Sequence, residues 1–198
     1  LQQWQHDNRS TGQRPSEQST LISAIGRLRV NAARFPLTIG LLLANLVAFP
    51  LGLAASNGEH GELFQNMMLV AFEIRGDRIY FADLAYTLDS GQYWRLLSPM
   101  LIHFGWLHLT FNLLWVWEIG RRIEFLHGAS MCILLTLFSG LLANLAQYWL
   151  TGVSLFGGMS GVLFGFIGYC MVWDAFSTGR RFGIARSIYI GMLVFLII

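Results

Sequence analysis

The sequence predicts an all-α membrane protein, a polytopic bundle of helices, on three observations. First, 55% of its 198 residues are hydrophobic and 12% are charged, against about 25% charged in an ordinary soluble domain. Second, long uncharged apolar runs recur from Pro36 to Ser56, Phe104 to Trp117, Ala129 to Phe156 and on through Trp173. Third, the positive charge is clustered between those runs. The mean hydropathy of +0.52 agrees. A net charge of +2 gives no sign of a nucleic-acid partner. Both cysteines, Cys132 and Cys170, lie inside apolar segments, where a thiol behaves as a small hydrophobe and no disulfide framework is expected.

Residues 1–20 are polar, without apolar periodicity, and read as a disordered linker. The membrane domain is expected over 21–198. Residues 21–34 mix Leu21, Ile22, Ile25, Leu28 and Val30 with Arg27, Arg29 and Arg34, which suits the positive flank of a first helix better than a surface helix. That helix is expected over Pro36–Ala55, kinked at Pro50. Residues 56–99 hold six of the eleven acidic residues with many apolar ones between them. A connection of that length needs structure of its own, here short amphipathic pieces at the outer interface. Helix two is expected over 103–119, helix three over 129–151, helix four over 158–174, and helix five from Ile184.

The arginines orient the bundle. Arg27, Arg29 and Arg34, then Arg121 and Arg122, then Arg180, Arg181 and Arg186 fall on one side if the helices alternate, and that side is cytoplasmic. The 56–99 loop then faces outward. The last run, Ser187 to Ile198, rises only ~18 Å and does not cross ~30 Å of hydrocarbon. A terminus there would strand helix-end carbonyls in lipid, so the chain is expected to be cut within a fifth helix.

The candidate chemistry gathers at the outward end. Gly157-Gly158-Met159-Ser160-Gly161 puts a serine at the head of an apolar helix. If Asp174 marks the far interface, Ser160 lies ~20 Å from it, inside the membrane and at the positive end of a helix. His108 and Asn112 are four apart, so they share a helical face at the same outward end. A serine, a histidine, an amide donor and free helix-start N–H groups are parts for acyl transfer through an oxyanion. The plainer readings are that His108 and Asn112 join helices by hydrogen bonds, and that Ser160 is a small residue permitting close packing. Gly161, Gly165 and Gly168 support such packing in either case.

Other chemistries fail on specifics. No His-Glu-x-x-His is present, and His103 and His108 are five apart, off a shared face. No aspartate pair sits mid-helix. Val162 occupies the position where an α/β-hydrolase elbow carries glycine. Glu118, at the end of helix two, suits the interface better than a proton relay, and Arg95 is either an interface anchor or a functional loop contact. No metal spacing, cofactor loop or nucleic-acid patch is found, and a transporter would offer charged residues at mid-membrane depth.

Together, Trp94-Arg95, His103, His108-x-x-x-Asn112, Glu124 and Gly158-Met159-Ser160-Gly161 resemble the rhomboid family of intramembrane serine proteases, bacterial type, from about Arg34 to Ile198. The resemblance implies six transmembrane helices, of which about five are present here. It implies Ser160 as nucleophile, with the Ser160 N–H, His108 and Asn112 as the oxyanion hole, and His103, Gly158, Gly161, Phe164 and Arg95 in support. It implies transmembrane protein substrates in the lipid bilayer, no metal or cofactor, and residence in the bacterial inner membrane. The N-terminus would then be cytoplasmic and the site would open to the periplasm. The family's general base is a histidine on a sixth helix. No histidine follows Ser160 here, so the base is expected beyond residue 198. Phe164 stands where many relatives carry tyrosine. The alternative is a rhomboid-like pseudoprotease that binds or escorts membrane clients without cutting them.

Overall fold

A computed structural model describes Gly26 and residues 30–179 and 181–197. Residues 1–34 and 35–198 form two separate compact units. Of the first, Gly26 and residues 30–34 are described and helical; the expected linker at 1–20 lies outside the described residues.

The second unit is a helical bundle. Its helices are α1 (Pro36–Ser56), α2 (Glu62–Met67), α3 (Leu84–Asp89), α4 (Trp106–Trp115), α5 (Arg121–Thr151), α6 (Ser160–Phe176) and α7 (Arg186–Ile197). A π-helical turn, Val116–Gly120, links α4 to α5, and two 3₁₀ turns, Tyr93–Leu96 and Ser98–Leu101, precede α4. The expected all-α class needs one correction: β1 (Phe72–Arg75) pairs antiparallel with β2 (Arg78–Phe81) in the 56–99 loop. Phe72, Ile74, Ile79 and Phe81 share one face by strand alternation, and Gly76 at φ 59° makes the tight turn.

The 46 residues from Trp106 to Thr151 are helical almost throughout, with a mean hydropathy of 1.9 in their most apolar stretch. At ~1.5 Å per residue they would be far too long for one crossing. Gly128, at φ 81° and ψ 169°, breaks the run. The Cys132 thiol then comes back to 4.0 Å from the Gly120 carbonyl, so the chain folds into two antiparallel helices. The expected connection at 120–128 is therefore helical, and the reversal rests on one glycine. Helix two starts at Trp106 rather than 103, helix four at Ser160 rather than 158, and helix five at Arg186 rather than 184.

α1 is apolar outside and partly polar inside. Leu43 and Val47 are exposed, whereas Thr38 and Asn45 are fully buried. This inverts the pattern of a soluble helix and fits a lipid-facing exterior. The helix runs through Pro50 to Ser56. Its N-terminus has no cap of its own, since Phe35 supplies no side-chain hydrogen bond. Glu124 caps it from α5. The Glu124 carboxylate accepts the N–H groups of Leu37 and Thr38, each at 2.8 Å, and the Thr38 hydroxyl at 2.7 Å. We expect Glu124→Gln to cost ~2–3 kcal/mol, because an amide replaces a buried charged acceptor. Unfolding in detergent micelles checks this; wild-type stability would mean that the cap contributes nothing.

Glu118 pairs with Arg121 at 2.6 Å and with Arg122. Asp174 accepts the Phe182 N–H at 2.7 Å and the Tyr189 hydroxyl at 3.1 Å, tying the start of α7 to the end of α6. Cys132 and Cys170 are free and buried in the core, with Val116, Ile119, Leu163 and Phe166.

The 56–99 loop is knotted by Arg95. Its buried guanidinium donates to the carbonyls of Gln65 and Met68, to Asn66 Oδ1 and to Gln92 Oε1. Burial lowers its pKa below the ordinary value. Arg95 thus ties the end of α2 to the first 3₁₀ turn, and no residue of the candidate site touches it among the hydrogen bonds described.

Candidate active site

Ser160 opens α6, so the first N–H groups of that helix have no intrahelical acceptor. α6 lies unusually close to α5 for a reason visible in its sequence. A Cβ on Gly161 would overlap Ala143, and one on Gly165 would overlap the Ser139 side chain. Gly168, grouped with them by spacing, faces open space and takes no part in this packing.

The chain enters α6 through a strap, residues 157–159, pinned to the 99–103 segment. The Gly158 N–H donates to the Pro99 carbonyl at 3.1 Å, and the Met159 N–H to His103 Nε2 at 3.4 Å. His103 Nδ1 lies 3.3 Å from the Leu101 carbonyl. Since Nε2 accepts, Nδ1 carries the proton, and His103 is a neutral strut between two stretches of backbone. Gly157 packs so tightly on the Pro99 and Ile102 carbonyls that a Cβ would stand 2.7 Å from each. Gly158 has φ 119°, and a Cβ there would stand 2.6 Å from His108 Nε2. Irregular backbone within a membrane bundle needs such partners or a wet cavity.

His108 leaves the first turn of α4 and packs beside His103, ring centres 4.8 Å apart. Asn112, one turn on, is buried and donates from Nδ2 to the His108 carbonyl at 2.8 Å.

A cavity of about 520 Å³ opens at the head of α6, lined among others by His108, Asn144, Gln147, Ser160, Gly161 and Phe164. Ser160, His108, Gly158, Gly161 and Phe164 thus meet around one space. Asn112, His103 and Arg95 do not line it: Asn112 bonds the His108 carbonyl, His103 holds the strap, and Arg95 lies in the 56–99 loop knot. Among the described residues no side chain accepts a hydrogen bond from the Ser160 hydroxyl. His127 bonds Tyr169 at 2.9 Å in a cluster with Trp173 and Phe182, apart from this cavity.

Two lining residues escaped the sequence reading. Asn144 donates to the Leu96 carbonyl at 2.9 Å, and Gln147 donates to Thr151 Oγ1 at 3.1 Å. Asn-x-x-Gln in an otherwise apolar helix was the available signal, because polar groups within a span face the bundle interior.

Serine at a helix start and a histidine lining the same partly polar cavity suit attack on a carbonyl whose oxygen is held by hydrogen bonds. Residues 90–198 match the model of the Rhomboid domain. The chain is also similar to the Rhomboid protease GlpG of Serratia proteamaculans (strain 568), 32% identical over 134 residues, which are 66% of this chain and 48% of that protein. The chain spans about half the length of that relative. The helical bundle, its lipid-facing exterior and a domain match over more than half the chain agree: this is an integral membrane protein, and it belongs to the rhomboid family.

Proposed function

We propose that this chain is the core of an intramembrane serine endopeptidase that cleaves transmembrane segments of other membrane proteins. The observation that carries the proposal is the cavity at the head of α6, which Ser160 and His108 line together. Ser160 attacks the scissile carbonyl. The Ser160 N–H and the His108 and Asn112 side chains hold the developing oxyanion, and the strap at Gly158 keeps His108 in place beneath the helix start. Asn112 reaches the oxygen only by releasing the His108 carbonyl or through its second Nδ2 hydrogen.

The general base is assigned to a histidine beyond residue 198. His103 already accepts from Met159, and His127 sits in the cluster around Tyr169. The site faces outward and the arginine clusters face the cytoplasm, in a bacterial inner membrane. Residues 21–198 form the membrane domain.

A fluorophosphonate probe tests the nucleophile directly. Labelling of the full-length protein at Ser160, found by peptide mass mapping, is the expected result. Full-length protein that takes no label and cleaves no membrane substrate, yet captures membrane clients, would favour the pseudoprotease reading instead. For the oxyanion, we expect His108→Ala and Asn112→Ala each to lower kcat by up to ~10²–10³, the effect of losing one donor. Wild-type rates in both variants would reduce the pair to helix-joining residues.

A further inference from the structure

Among the described residues four fully buried side-chain atoms have no hydrogen-bond partner, and three of them belong to α1 and α4: Asn45 Oδ1, Asn112 Oδ1 and Trp115 Nε1, the fourth being Arg121 Nε. The two helices run antiparallel, and contacts at both ends fix their register. The Phe49 ring meets Trp106 with centres 4.6 Å apart, and Thr38 Oγ1 stands 3.2 Å from where a Gly120 Cβ would be. Counting inward from either contact places Asn45 opposite the turn that holds Asn112. Asn45 lies on the buried stripe of α1 with Leu41, Ala48 and Gly52, and Asn112 on the buried stripe of α4 with Leu109. Trp115 follows Asn112 by three residues, hence on the same side of the helix.

Each asparagine already commits its amide nitrogen. Asn45 Nδ2 donates to the Leu41 carbonyl at 2.7 Å, and Asn112 Nδ2 to the His108 carbonyl at 2.8 Å. Reversing either amide would set carbonyl against carbonyl, so these bonds fix which end is oxygen. Both Oδ1 atoms are therefore left as acceptors in a region where bulk water does not reach, and buried polar groups there require a partner. Two acceptors and one indole donor are the complement of one water molecule, which donates twice and accepts once.

We propose that Asn45, Asn112 and Trp115 hold a buried water molecule between α1 and α4. Asn45 is thereby a positioning residue for the Asn112 amide, which it reaches through that water. The consequence for catalysis rests on the oxyanion role proposed for Asn112; the water site itself does not.

The test is NMR of the full-length protein in nanodiscs, labelled with ¹⁵N at tryptophan indoles and asparagine amides. The Trp115 indole, assigned through Trp115→Phe, is expected to show cross-relaxation with a long-lived water. Asn45→Leu is expected to abolish that cross-peak and to shift the Asn112 side-chain amide, with the other indole signals unmoved. A Trp115 indole without a water contact in the unsubstituted protein would overturn the proposal, and that measurement needs no variant to fold. Persistence of the cross-peak in Asn45→Leu would overturn it too. Neither readout depends on proteolysis, so failure here is separable from failure of the protease reading.

Discussion

Ser160→Ala is expected to lower kcat for a membrane substrate by roughly 10⁴–10⁶-fold, the range seen when a nucleophile is removed from a serine hydrolase. The substitution deletes one hydroxyl at a half-buried helix start and leaves the first-turn N–H groups, the strap and the α5–α6 contact in place. Alanine also suits helix propensity at least as well as serine. Stability should therefore stay within ~0.5 kcal/mol of the parent, the usual range for a substitution that disturbs no packing. The informative comparison is cleavage of a reconstituted substrate beside thermal unfolding of the same sample. Undiminished cleavage would remove Ser160 from the mechanism and the protease reading with it.

Gly158→Ala should damage both stability and rate. At φ 119° any L-residue is strained, which costs ~1–3 kcal/mol. The new methyl would also stand 2.6 Å from His108 Nε2 and 2.7 Å from Cε1, so the ring or the strap must move. Overpacking of this kind costs a further ~1–3 kcal/mol. If the strap moves, the Gly158 bond to Pro99 and the Met159 bond to His103 lengthen together, and Ser160 shifts with them. A displacement of ~1 Å at a reacting group can cost ~10²-fold in rate. We expect both losses, read from denaturation midpoints and from kcat at a temperature where the variant remains folded. A variant with parental stability and rate would show that His108 has room to yield and that the strap does not set its position.

The sequence by itself determined the class of the molecule and which residues are candidates for its chemistry. Long apolar runs leave few alternatives to membrane-spanning helices, because backbone polar groups in lipid must be satisfied within the segment. The four-residue spacing of His108 and Asn112, and the position of Ser160 after a run of glycines, placed candidate groups near one end of the bundle. Periodicity alone could not rank them.

Tertiary structure decided which groups meet, because that depends on helix contacts far apart in sequence. It set Ser160 and His108 around one cavity and drew Asn144 and Gln147 into its wall. It turned the amide nitrogen of Asn112 back onto its own helix, took Arg95 into a loop knot, and distinguished Gly161 and Gly165 from Gly168, although all three share a spacing. The β1–β2 hairpin and the reversal at Gly128 were also hidden, for related reasons. Four-residue strands carry too few alternations to stand out from mixed loop sequence, and a single glycine in an apolar run reads equally well as a packing residue or a turn. A side chain's role in such a bundle is fixed by the neighbour facing it, and the chain's own sequence names that neighbour only once the fold has brought the two together.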